Sequence, residues 1–422
     1  MRRYKVVKNA GWIIAGKLVN KLLAFIVGVF SARYLGPSNY GLINYAAAYI
    51  TFFSAICTLG FNSIIVKDFV SKPKEQGTTV GTAIAFRIIA SIISGIMVIG
   101  IVSIVDKNEP FTILIVALSS LSMIFQAFET LTYWFQSRLE SKVATIASSI
   151  AYLAVSLYKI YLLIRAVSVV WFALATSVEW IITAAILIGA YRYKKGPEWK
   201  FCFDKGKELL SESGSFIVAG LMVSIYASTD RLMLKHMMID AAVGNYSLAV
   251  SLSTAWGFVI SAVIDSMSPG LFGMYDVDKR NFTKRNTQLY AIVFYGSITV
   301  SCIICLFAPF LINVLYGKAY AGAITPLRIV CWFTAFSYLG VARNIWVVCE
   351  KQQRYLMYLY FLSAVINVLL NWFLIPCFGE AGAALASLVT QIATALVFPA
   401  FIKSLRPNAR LMLDAILLKN VF

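Results

Sequence analysis

Trp12 to Tyr34 reads WIIAGKLVNKLLAFIVGVFSARY, an apolar run broken by two lysines one helical turn apart. As a helix, at about 1.5 Å per residue, it is long enough to cross a hydrocarbon core of about 30 Å. Lys21 then stands near the middle of that core, about 14 Å from the Trp12 end and beyond comfortable snorkelling reach. Lys17, Asn20, Ala24, Gly28 and Ser31 share its helical spacing and form one small or polar face. A cation at that depth needs water or an anionic partner, so the face suits a wet interior that admits something negatively charged.

The same apolar character runs through all 422 residues, which are 60% hydrophobic and only 13% charged, with a mean hydropathy of +0.79. Those values place the chain outside the soluble range and among all-α polytopic membrane proteins. The basic leader MRRYKVVK runs into the first span with no small-residue cleavage site, so that span is expected to serve as the insertion signal. Seven cysteines are scattered through hydrophobic segments. The CxxC formed by Cys302 and Cys305 lies in an apolar helix without nearby metal-ligand types, which favours packing over redox or metal chemistry. His236 is the one histidine in the sequence, leaving little material for catalytic triads or histidine metal centres. No cofactor, metal or catalytic residue is expected. The net charge of +18 points, in a membrane chain, to topology and anionic lipid heads rather than to nucleic acid.

Twelve spans are predicted, at 12–34, 42–62, 82–105, 111–135, 143–164, 167–190, 214–236, 243–267, 288–312, 325–348, 355–376 and 381–402. With the N-terminus inside, the seven inner segments carry 25 Lys and Arg against about six outside: Arg33, Lys107, Arg165, Arg231, Lys235 and Lys318. That bias sets both termini on the cytoplasmic side of the membrane. The most charged connection, Arg192 to Ser213, splits the spans six and six. The expected organisation is an N-terminal lobe at 1–190, a cytoplasmic linker at 191–213, a C-terminal lobe at 214–402 and a basic tail at 403–422. An even span count per lobe makes the repeat a parallel one. Asn39-Tyr40-Gly41-Leu42 and Asn245-Tyr246-Ser247-Leu248, opening the second and eighth spans, are a trace of it. The amphipathic tail suits a helix on the inner leaflet or an unstructured end.

Charges inside spans are costly and therefore informative. Arg87, Glu129, Lys159, Asp265 and Arg328 lie near enough to span edges for snorkelling, capping or head-group contact. Glu179 and Arg343 are deeper, and Asp230 and Arg231 sit one to two turns from an outer end. The plain alternative for these is an internal ion pair that fixes packing, with Glu179 and Lys21 the expected couple. Cations prevail: Lys17, Lys21, Arg87, Lys159 and Arg343 against Glu129, Glu179 and Asp230. This sign favours a phosphate or carboxylate cargo over a lipophilic cation.

Ala32 to Gly41, ARYLGPSNYG, resembles the first outside turn of polysaccharide flippases of the Wzx type, in the multidrug/oligosaccharidyl-lipid/polysaccharide (MOP) exporter superfamily. Ser228 to Leu234 and Val243 to Ala249 resemble that family's seventh and eighth spans. Tyr316 to Tyr320 resembles its YGxxY turn, and Asn371, Leu374 to Pro376 and Gly379 to Ala384 its last helical pair. The matches keep family order over nearly the whole chain. The resemblance implies two six-helix lobes around a cavity and export of undecaprenyl-pyrophosphate-linked oligosaccharide by alternating access, with proton or sodium coupling in relatives.

The expected function is thus a flippase for lipid-linked oligosaccharides, not an enzyme, acting as a monomer for O-antigen, capsule or exopolysaccharide synthesis. Lys17, Lys21, Arg87 and Arg343 are the candidate contacts to the anionic head group. Glu179 and Asp230 are candidates for ion coupling or an internal pair. A cation-coupled multidrug exporter of the same superfamily is the alternative. A membrane polymerase or glycosyltransferase acting on lipid-linked sugars is a further one, disfavoured by outside connections too short to carry a catalytic loop.

Overall fold

The computed structural model describes residues 2–419, apart from the side chains of residues 2–19, 22 and 63. The protein is an all-α membrane protein, with no strand among the described residues. Helix α1 (Arg2–Thr58) is broken at Gly36, whose φ of 69° suits a residue without a Cβ, and Pro37 opens the next helical stretch. The family-like stretch ARYLGPSNYG contains this break. It is followed by α2 (Asn62–Ser71), α3 (Gln76–Val105), α4 (Pro110–Gln126), α5 (Thr130–Ser137), α6 (Ser141–Ile164), α7 (Val169–Ala173) and α8 (Ala175–Tyr193). Then come α9 (Phe203–Met237), α10 (Asp240–Thr254), α11 (Gly257–Tyr275), α12 (Lys279–Leu315), α13 (Ile324–Cys349) and α14 (Arg354–Phe378). Helix α15 (Glu380–Ile392) widens into a π-turn (Ala393–Val397) before α16 (Phe398–Phe401) and α17 (Arg406–Ile416).

Among the described residues, eleven helices are long and apolar enough to cross a membrane. The first of them, Leu23–Thr58, takes in both sides of the Gly36 break. The eighth predicted span, 243–267, is instead two helices, α10 and α11, joined through Ala255 and Trp256. Long helices also extend past the predicted span ends, because polar residues such as those of KRNFTKRN still favour helix once outside lipid. The connection expected at 268–287 is thereby reduced to residues 276–278.

The chain divides into two compact units. The first is Met1–Leu35 with Leu42–Ser228, and the second is Gly36–Gly41 with Thr229–Phe422. The division falls at Ser228, inside α9, so the 191–213 connection belongs with the first unit. Residues 194–202 run along α3 there. The Lys200 N–H donates to the Gly77 carbonyl at 3.2 Å, and the Cys202 N–H donates to Thr82 Oγ1 at 3.0 Å. Gly77 and Gly81 permit this approach, since a Cβ on either would strike the backbone at Glu198 or Lys200. Lys205, almost fully buried, then ties α9 to Asp68 of α2 at 2.7 Å, with Glu75 and Glu208 beside it.

In the second unit, the basic tail is a helix docked on α12. Asn408 donates to the Tyr290 hydroxyl at 2.7 Å, and Tyr295 donates to the Ile416 carbonyl at 2.7 Å. Met412 and Ala415 are buried, while Arg406, Arg410, Leu413 and Leu417 share the exposed face. One face thus packs on protein and the other presents the basic and leucine residues that suit a leaflet surface.

A buried carboxylate cage and the charges around it

Asp230 lies in α9, buried in the second unit, and four neutral donors converge on its carboxylate. Asn367 and Asn371 of α14 donate to Oδ1 at 3.2 and 2.6 Å. The Tyr246 hydroxyl of α10 and the Ser387 hydroxyl of α15 donate to Oδ2. Helical spacing explains the amide pair, because residues four apart lie on one helix face. No Lys or Arg lies within ion-pair distance of Asp230 among the described residues. Arg231, next in sequence, does not pair with it, and its own Nε has no hydrogen-bond partner. Asn371 Oδ1 is also buried and unpartnered. The site therefore groups a carboxylate with an open amide oxygen and two hydroxyls, all oxygen donors of the type that hard cations bind.

Turns from the second unit's sequence motifs hold this cage in place. A Cβ on Gly41 would strike the Asp240 carbonyl, and one on Gly244 would strike that of Pro37, so these two glycines let the ARYLGPSNYG turn lie against the start of α10. Asn245, next to Tyr246, donates to Glu380 Oε1 at 3.2 Å, which links the start of α10 to the start of α15. The motif positions are thus packing contacts that position Tyr246 and Ser387.

The other expected site residues are dispersed. Arg87, 1% exposed, donates to Glu129 Oε2 and Thr130 Oγ1, both at 3.1 Å, within the first unit. Arg343, also 1% exposed, lies inside the second unit, where Nη1 donates to the Thr394 carbonyl at 2.9 Å. Both guanidiniums are sealed within their units, away from any open surface in this conformation. Glu179 and Lys159 act on one another electrostatically, across α6 and α8. That cation takes the place expected for Lys21. Lys21 itself is exposed, with no ion-pair partner among the described residues. The Lys17 side chain lies outside the described residues. Cys302 and Cys305 are free thiols in α12.

Sequence reasoning reached Asp230 but missed its cage. Asn371 and Tyr246 had entered only as motif positions, and Asn367 and Ser387 not at all. The signal was available in SAVINVLLNWF, where two asparagines four residues apart interrupt an apolar span.

The fold resembles those of known transporters. A structure of the lipid II flippase MurJ in an inward closed conformation aligns with a TM-score of 0.75 at 13% identity, covering 96% of this chain and 91% of that one. An inward-facing multidrug resistance MATE family transporter of the MOP superfamily aligns with a TM-score of 0.67 at 15% identity, covering 93% and 96%. An outward-facing MATE family transporter gives a TM-score of 0.62 at 15% identity, covering 97% and 96%. No curated protein matches the chain in sequence. The model of the polysaccharide biosynthesis protein family matches residues 6–272, more than half of the chain. With its membrane helices and MOP-type fold, the chain belongs to the polysaccharide biosynthesis protein family.

Proposed function

We propose that the protein is an ion-coupled flippase that moves undecaprenyl-pyrophosphate-linked oligosaccharide units from the cytoplasmic to the outer leaflet of a bacterial inner membrane. Lys21 carries the reading of cargo sign. It is an exposed ammonium within the first span and has no carboxylate partner among the described residues. An anionic head group supplies that partner, and Lys17, one turn away in sequence, extends the same face. Arg87 and Arg343 are enclosed by their own units and enter substrate contact only in a conformation that opens them. The polyprenyl tail stays in lipid, where it costs nothing to solvate.

Asp230 provides the coupling site in this proposal. A carboxylate with no cation within ion-pair distance among the described residues, and with an open amide oxygen beside it, can exchange a proton or bind sodium. Glu179 is left out of the coupling site, because Lys159 already acts on it electrostatically. Multidrug export remains the competing reading, because MATE transporters share the fold, but the cationic excess in the spans disfavours cationic drugs.

Complementation of a flippase-deficient strain tests the reading. Wild type should restore the surface polysaccharide, and Lys21→Ala should fail to do so at equal membrane abundance. Full complementation by Lys21→Ala removes Lys21 from the mechanism. Drug resistance conferred by overexpression, without complementation, favours the exporter.

A further inference from the structure

Arg192 to Lys207 reads RYKKGPEWKFCFDKGK, basic and aromatic residues interleaved between two helices apolar enough to cross a membrane. The segment follows a fixed path within the first unit. At the end of α8, the Gly196 N–H donates to the Tyr191 carbonyl at 2.9 Å, and the Tyr191 hydroxyl donates to the Pro197 carbonyl at 2.6 Å. A Cβ on Gly196 would strike the Tyr191 ring, so the chain folds back tightly there. It then runs along α3 in that helix's own direction. Glu198 lies beside Gly77, Lys200 beside Gly81, and the Cys202 N–H donates to Thr82. Phe201 and Phe203 pack on Phe86, with ring centroids 6.2 and 6.1 Å from it. Nine residues separate Gly77 from Phe86, about 14 Å of helix rise.

Phe86 marks where this path arrives. By helical spacing, Ile89, Ile93 and Ile96 share its face of α3, and all three are exposed, as the lipid-facing stripe of a membrane-crossing helix must be. Phe201 and Phe203, 60% and 57% exposed, continue that stripe at its N-terminal end. Tyr193 and Trp199 are exposed beside them. Aromatic rings in such a position belong at a membrane–water boundary. Five exposed cations, Arg192, Lys194, Lys195, Lys200 and Lys207, accompany the rings against two exposed carboxylates, Glu198 and Asp204. Lys194 pairs with Glu140 at 3.2 Å, and the Lys207 ammonium lies 4.9 Å from the centre of the Phe203 ring. Lys195, Lys200 and Lys207 have no carboxylate within ion-pair distance among the described residues.

We infer that residues 193–203, together with Lys207, form a lipid-binding strap that takes anionic phospholipid from the leaflet at the N-terminal end of α3. The rings enter the acyl boundary, and the open ammoniums meet phosphate at head-group level. A protein partner would have to displace lipid from the isoleucine stripe that the strap continues. The strap rests on the chain's being a membrane protein and not on its cargo, so it stands apart from Lys21 and the Asp230 cage.

Photo-crosslinking tests it, in nanodiscs of phosphatidylcholine and phosphatidylglycerol, with the full chain carrying p-benzoylphenylalanine in place of Phe201. Irradiation should give a phospholipid adduct by mass spectrometry, with phosphatidylglycerol over-represented at least about threefold relative to its share of the bilayer. Lys195→Gln, Lys200→Gln and Lys207→Gln combined should keep the adduct and return its lipid ratio to that of the bilayer. Lys200→Gln alone should lower the ratio part of the way, and it serves if the triple variant does not fold. The same photoreactive group in place of Ile93 reports plain acyl contact and should show no lipid preference. An adduct with a second copy or another protein, no adduct, or phosphatidylglycerol at its bulk ratio overturns the proposal. So does an unchanged ratio in the lysine variants or an equal preference at position 93.

Discussion

Asp230 illustrates how a single side chain can be fully hydrogen-bonded and still chemically unfinished. Four donors satisfy its two oxygens, but none of them is charged. Replacing Asp230 with Asn keeps the size and much of the packing while turning one oxygen into a donor that faces other donors. Asp230→Asn should therefore lose ion-driven transport by at least about tenfold while remaining monodisperse in detergent. Ser387→Ala removes one donor of four, at a cost of about 1–2 kcal/mol, and should retain measurable transport. Equal activity of Asp230→Asn and wild type in a vesicle uptake assay with an imposed gradient sinks the coupling role. Asp230 was legible in the sequence because a carboxylate in an apolar span is conspicuous. Its cage was not, because Asn, Ser and Tyr are common in membrane helices and their convergence depends on how α9, α10, α14 and α15 pack. The electrostatic interaction of Glu179 with Lys159 shows the same limit, since depth along a helix says nothing about which residues of other helices come near.

At the scale of elements, most helices were legible from hydropathy, and their ends were not. Lipid demands an apolar run, which locates α3, α6, α13 and α14 to within a few residues at most of their edges. Beyond the apolar run, polar helix carries on, as at the start of α12, and composition alone does not mark where it stops. The turns carry a different signal, close backbone approach. Gly41 lies against the Asp240 carbonyl, with the Gly244 nitrogen 3.0 Å from where its Cβ would be, whereas Gly28 has open space around that position. Gly41→Ala must push one chain segment off another, for which overpacking costs of about 1–3 kcal/mol are typical. Gly28→Ala meets nothing. Melting temperature in detergent should consequently fall for Gly41→Ala and stay level or rise for Gly28→Ala, and equal melting of the two variants contradicts this assignment of the turn.

At the scale of the whole molecule, charge asymmetry determines which way the helices enter the membrane. The segments assigned to the inner side hold 25 Lys and Arg, against about six on the other. Each basic residue kept inside adds a small bias, and the first spans to insert constrain those that follow. The exposed basic face of α17 and the Lys and Arg cluster at the start of α12 fall on the same predicted side, where anionic head groups attract them. Reporter fusions read this out directly. A fluorescent protein attached after Phe422, or inserted between Lys195 and Gly196, should fluoresce, because it folds only in the cytoplasm. Alkaline phosphatase inserted between Lys107 and Asn108 should be active, because it needs the oxidising outer side. The α3–α4 connection holding those residues contains Lys107 as its one basic residue, so little opposes its translocation. The reverse pattern inverts the chain, places Lys17 on the outer-leaflet side of Lys21, and turns the proposed route of an anionic head group from export to uptake.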